Sequence, residues 1–253
     1  MNIISGFADI SLLQLALVAG VALFASIIGG LAGYGTGALM PLVLVPLIGA
    51  EPVVPIIAIS AIFTNLSRAT AYFRYVDRRR ALIVISAAAL TTALGAYGYT
   101  RLTNGGAALV IGAMLISSVP LRRLLKHHDV KIGDTGLGAG AVGYGVVVGG
   151  TSGSGVILLS LLMAAGLEGV AVIATDAVIS VVTSIIKISV FGIAGVVTAQ
   201  VLAFALLIGA ISLPGTFLAK AFVKRMLVHI HTAILDAAVI TGGVVMIAST
   251  LRH

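Results

Sequence analysis

Gly35-Thr36-Gly37 and Gly153-Ser154-Gly155 are the two places where this chain could do chemistry with its backbone. Each belongs to a longer cluster, GGLAGYGTGALMP from Gly29 to Pro41 and GGTSGSGVILLS from Gly149 to Ser160, set in otherwise apolar sequence. In lipid an unpaired backbone N–H is costly unless it faces water or a ligand. A helix that starts inside a membrane exposes about four such groups together with the positive end of its dipole. It is thereby an anion site. Glycine lets a ligand come close to the backbone, and Thr36, Ser152 and Ser154 add hydroxyl donors. Two such starts converging on one pocket would hold a small anion from opposite sides. The competing explanation is close helix packing through small residues, a common device in membranes. Packing alone accounts for neither the duplication nor the short segments that follow each cluster.

Charged side chains point the same way. Arg68 and Lys187 stand 119 residues apart, each inside an apolar segment. Ionisable groups there cost some ~2.5–3.5 kcal/mol each on insertion scales, which makes them functional candidates by default. Together they could neutralise a doubly charged anion, Arg68 with a planar fork suited to a pair of oxygens. The alternative is snorkelling to the membrane surface, since Arg74 follows Arg68 closely and Lys187 lies near the end of its segment. Asp176 precedes Lys187 by eleven residues on the same helix face, about 16 Å away and beyond direct pairing. An intramembrane carboxylate is a natural carrier of a coupling proton, and Asp176 is read in that role. Its alternatives are a helix N-cap or an acceptor for nearby hydroxyls. Asn65 and Thr64 either bind substrate or bond a neighbouring helix. His127-His128 and His229-x-His231 lack a third ligand, so no metal site is expected.

The elements that position these residues follow from composition. Of 253 residues, 60% are hydrophobic and only 9% charged, against roughly 25% charged in soluble domains. With a mean hydropathy of +1.21, the expected fold is an all-α integral membrane protein. The +7 net charge then reflects topology rather than nucleic-acid binding. Cysteine is absent, which excludes thiol chemistry and disulfides. Met1 to Ser11 lacks a basic n-region and contains Asp9, so no cleavable signal is expected. Ten segments are legible, at 11–32, 36–49, 53–73, 80–100, 105–124, 135–150, 154–166, 169–191, 196–220 and 229–250. The second and seventh are short, as discontinuous helices would be. The halves match at an offset near 118: Gly35-Thr36-Gly37 falls on Gly153-Ser154-Gly155, Ile57–Asn65 on Ile173–Val181, and Gly95 close to Gly215. Five segments per half predict two inverted repeats, 1–128 and 129–253, forming one transport domain. Eleven of the fifteen basic residues fall in the loops after the third, fifth and ninth segments: Arg74, Arg78, Arg79, Arg80, Arg122, Arg123, Lys126, Lys131, Lys220, Lys224 and Arg225. The positive-inside rule puts those loops in the cytoplasm and both termini outside, and Arg78-Arg79-Arg80 would also contact anionic lipid.

Both glycine clusters, with AISAIFTN and ATDAVIS in the segments that follow, resemble the TauE/SafE-type sulfite exporters. That family carries a glycine-rich segment in each half and an A-x-x-[ST] stretch in the next helix. The resemblance covers about residues 13 to 250. It implies a cell-membrane transporter, often an exporter, of small sulfur-containing anions such as sulfite or organosulfonates. Two departures stand out: Asp176 replaces Ser60 of the first half, and Asn65 has no partner in the second. The expectation is alternating access around a mid-membrane anion site formed by Gly35, Thr36, Gly37, Asn65, Arg68, Ser152, Gly153, Ser154, Gly155 and Lys187, with protons as coupling ion through Asp176. No cofactor or nucleic-acid partner is expected; membrane lipid is. The competing readings are an anion channel, which needs a continuous polar pore, and a membrane-embedded enzyme, for which Asp176 alone makes no catalytic constellation.

Overall fold

The second glycine cluster interrupts the helical backbone at residues 151–154. The computed structural model describes residues 3–8, 10–32, 35–127, 131–222 and 228–251. Among them are ten α-helices, two short 3-10 turns (Ile3–Phe7 and Phe73–Tyr75) and no strand. The helices are α1 (Leu12–Ala32), α2 (Gly35–Ile48), α3 (Val53–Ala71), α4 (Arg78–Tyr99), α5 (Asn104–His127), α6 (Asp134–Gly150), α7 (Gly155–Ala164), α8 (Val170–Ile193), α9 (Ala199–Phe222) and α10 (Val228–Leu251). With 14 and 10 residues, α2 and α7 extend about 21 Å and 15 Å at ~1.5 Å per residue, short of a ~30 Å hydrocarbon core. By contrast α3, α4, α8 and the Asn104–Leu121 part of α5 are long and apolar enough to cross. The chain is a multi-pass membrane protein. Between α6 and α7, Thr151 is extended and Gly153 takes φ +82, a left-handed conformation that glycine adopts without steric cost.

Helix packing repeats itself across the two halves. α1 lies against α9 and α6 against α4; α3 packs on α9 and α8 on α4; α5 touches α7 and α10 touches α2. Exchanging the first five helices with the last five preserves these pairs, and maps the α3–α8 and α5–α10 contacts onto themselves. Gly105 of α5 faces Thr250 of α10 while Gly112 faces Gly243, so this pair runs antiparallel. Arg68 near the end of α3 meets Asp176 near the start of α8, so that pair does too. Small residues permit the contacts. A Cβ at Gly149 would meet the Thr92 carbonyl and, at 2.8 Å, the Ala96 nitrogen; one at Gly95 would meet the Val146 carbonyl. Gly215 of α9, matched with Gly95 by sequence, lies in the same way against Ser26 and Leu23 of α1.

The loops sort onto two ends. At one, Arg79 pairs with Asp134, the Ile132 amide donates to the Ala164 carbonyl at 2.9 Å, and the Asp77 amide donates to Thr175 Oγ1 at 3.0 Å. The connections after α3, α5 and α7 therefore meet, bringing Arg74, Arg78, Arg79, Arg80 and Lys131 together. At the other end the Tyr99 hydroxyl donates to the Ala50 carbonyl at 2.7 Å, and one cleft is lined by Ile48, Tyr99 and Val196. Arg101 is the basic residue described there. The side chains of Arg122, Arg123, Lys126, Lys220, Lys224, Arg225 and Arg252, and of the four paired histidines, lie outside the described residues, as does the 128/129 boundary.

Asp77 caps α4 at this basic end. Its carboxylate accepts from the Arg80 amide at 3.0 Å and from Arg80 Nη1 at 2.6 Å. Burial alone would push this carboxyl up, but the Arg80 bonds and charge outweigh it and hold it below its ordinary value. A depressed carboxyl stabilises the fold while ionised and loses that contribution as pH falls through its folded pKa. Asp77→Ala is expected to cost about 1 kcal/mol at neutral pH, with the difference from wild type fading in acid. Thermal unfolding in detergent checks this; equal midpoints at neutral pH would remove the cap from the account.

Candidate functional site

The two helix starts meet at one cavity of about 110 Å³, well below the ~300–1,000 Å³ of sites for drug-sized ligands. Gly35, Thr36 and Gly37 at the start of α2 line one wall. Thr151, Ser152, Gly153, Ser154 and Gly155, at the break leading into α7, line another. A Cβ placed on Gly37 would lie 2.9 Å from the Gly153 nitrogen and 3.1 Å from its Cα. The breaks thus touch each other through their missing side chains. Close packing and the cavity wall share the same glycine here.

α3 and α8 supply the charged walls. Ala61, Thr64, Asn65 and Arg68 line the cavity from α3, and Ser180, Thr183, Ser184 and Lys187 line it from α8. Both sets follow the i, i+3, i+4, i+7 spacing of one helix face, and each pair stands 119 residues apart. Matching Ile57–Asn65 with Ile173–Val181 gives 116 instead. Three residues are nearly one turn, so both registers keep the face, and the cavity follows the register of Arg68 and Lys187. Ser26 of α1 and Tyr144 of α6 complete the wall.

Arg68 and Lys187 are 7% and 5% exposed. Neither reaches the outside of the helix bundle, which overturns the snorkelling alternative. Arg68 Nη2 donates to Asn65 Oδ1 and lies 3.4 Å from Asp176 Oδ2. Half of its fork is engaged within the protein. Asn65 accordingly orients Arg68 while forming part of the wall. Nη1 of Arg68 and Oγ of Ser152 are buried without a hydrogen-bond partner, and both residues line the cavity. The hydroxyls of Ser26, Thr64, Thr151 and Thr183 instead donate to backbone carbonyls, at 2.7, 3.1, 3.1 and 3.2 Å. Lys187 Nζ donates to the Thr151 carbonyl at 3.1 Å.

Asp176 is 1% exposed and stands behind Arg68 rather than on the cavity wall. It lies in the second turn of α8, whose N-cap is Gly169, so the capping alternative is wrong. Measured only against Lys187 on its own helix, Asp176 looks unpaired; its partner comes from the other half of the chain. The ten residues expected to bind substrate all border this one space, while the expected proton carrier is one residue removed. Sequence reasoning passed over Ser26, Tyr144, Thr151, Ser180, Thr183 and Ser184. Only their spacing relative to Lys187 could have signalled the three on α8.

The family model described as sulfite exporter TauE/SafE matches residues 18–249. No curated protein and no solved structure shows significant similarity to the chain.

Proposed function

We propose, because the chain belongs to the sulfite exporter TauE/SafE family, that the cavity between α2, α3, α7 and α8 is the binding site of a small sulfur oxyanion or organosulfonate in transit. Family membership makes the chain a membrane transporter of sulfur anions and not an enzyme. The observation that carries the site reading is the pair of buried, unpartnered donors, Arg68 Nη1 and Ser152 Oγ, on a wall shared with two helix starts. A buried donor left unsatisfied costs about 1–3 kcal/mol. An oxyanion accepting from both, from Lys187 and from the first amides of α2 and α7 would satisfy all of them. Asp176, on Arg68, is the place where a coupling proton would be felt: protonation frees the guanidinium for the anion, and deprotonation draws it back.

Alternating access is supported by the pairing pattern, in which corresponding helices of the halves 1–128 and 129–253 run in opposite directions where they meet. The basic end is assigned to the cytoplasm by the positive-inside rule, with both termini outside, and membership of an exporter family supports outward flux. The test is a binding panel on purified protein with sulfite, sulfoacetate, taurine, thiosulfate and sulfate. At least one sulfur oxyanion should bind, and Ser152→Ala should weaken it about 10- to 100-fold, as expected for one lost donor to a charged group. No binding by any of the five, or no effect of Ser152→Ala, would sink this assignment.

A further inference from the structure

We infer that the Lys187 ammonium is a built-in cation, seated on the carbonyl that the broken helix leaves open, so that the anion site operates without a free sodium ion. The inference rests on the anion-site reading above. α6 stops at Gly150, and Thr151 continues in extended conformation. The last carbonyls of a helix have no intrahelical partner and carry the negative end of its dipole. Transporters with interrupted helices commonly coordinate a coupling cation on such carbonyls while an opposed helix start receives the anionic group. In this chain the carbonyl is already taken: Lys187 Nζ lies 3.1 Å from the Thr151 oxygen.

Three further observations fit a tethered cation. Lys187 is buried, and among the described residues no carboxylate lies within ion-pair distance of it. Its counterpart Arg68 already has Asp176 beside it, so Lys187 holds the formal charge that an anion must balance. The ammonium has three donors, one of which is used by Thr151, leaving others for the cavity that Lys187 lines. Finally, α7 begins at Gly155, only a few residues past Thr151. One short break therefore presents a carbonyl to the lysine and helix-start amides to the anion. A sodium ion approaching that carbonyl would meet a like charge in a low-dielectric site.

The experiment uses the purified full chain and radiolabelled sulfite supplied as its N-methyl-D-glucamine salt. Replacing N-methyl-D-glucamine gluconate by sodium gluconate should change wild-type affinity by less than ~2-fold, a coupling free energy near zero. A sodium enhancement of ~10-fold or more would overturn the inference. Lys187→Ala should lose ~100-fold or more, the consequence of removing a buried charge from its partner. Added methylammonium, which has the shape of the missing tip, should then restore at least ~10-fold of that loss; absence of rescue counts against the proposal. Lys187→Met fills the space with an uncharged chain, so it should stay folded by thermal unfolding, lose affinity and resist rescue. Wild-type affinity in Lys187→Met would end the built-in cation while leaving the anion site standing, provided Ser152→Ala still weakens binding. If neither variant changes affinity, both readings fall.

Discussion

Arg68→Gln is expected to lose ~100-fold or more in anion affinity and ~3–5 kcal/mol of stability, because it strands Asp176 as a buried charge. The two losses have different origins and can be separated. Asp176 is 1% exposed and its carboxylate lies 3.4 Å from the guanidinium. Neutralising both partners in Arg68→Gln/Asp176→Asn removes the stranded charge, so most of the stability should return, as a strongly coupled double-mutant cycle. Binding should not return, since the unpartnered Nη1 donor is still missing. Arg68→Lys should retain the ion pair in part but recover little affinity, because an ammonium cannot serve Asn65, Asp176 and a ligand in the planar arrangement of the fork. Thermal unfolding and sulfite binding on wild type, Arg68→Gln, Asp176→Asn, the double variant and Arg68→Lys decide the matter. A double variant that binds like wild type would show that Arg68 acts through Asp176 alone and touches no substrate.

What the sequence revealed depended on rarity. Glycines at an interrupted apolar run, and single charges within such runs, are costly in lipid. The breaks at Gly35 and Gly155 and the charges at Arg68 and Lys187 were therefore legible without a structure. The ten segments were legible as apolar runs, and the basic residues in the loops after the third, fifth and ninth agree with that count. The structure brings the connections after α3 and α5 to one end, together with that after α7. Partnership was not legible. Asp176 and Arg68 lie in different halves of the chain, and nothing in local spacing reports that α3 and α8 cross antiparallel. Nor does spacing reveal that Lys187 reaches back to a carbonyl of the α6 break. The hydroxyl lining was silent for another reason. Serine and threonine on apolar helices usually bond the carbonyl three or four residues back, as Ser26 and Thr183 do even here. Their types carry no signal of a cavity until a neighbouring charge fixes the face.

The site geometry should depend on Gly37 more than on any hydroxyl. A Cβ there would stand 2.9 Å from the nitrogen and 3.1 Å from the Cα of Gly153. The obstacle is backbone, which cannot rotate aside as a side chain can. Gly153 itself sits at φ +82 between two helices, so a push on it moves the amides that open α7. Gly37→Val is therefore expected to separate the two breaks, costing ~1–3 kcal/mol as overpacking does. Anion affinity should fall ~100-fold, the scale on which a displacement of about 1 Å in a positioned site is felt. Gly37→Ala should show the same two effects at smaller size, because its single methyl already falls within the forbidden distance. Gly20 is the control: it lies on α1, and a methyl group added there would have nothing within 4 Å. Gly20→Ala should leave affinity and unfolding temperature near wild type. Sulfite binding and thermal unfolding on all three variants test the claim. If Gly37→Val binds sulfite with wild-type affinity, the contact between the breaks does not hold the site, and the two helix starts must be positioned by α3 and α8 alone.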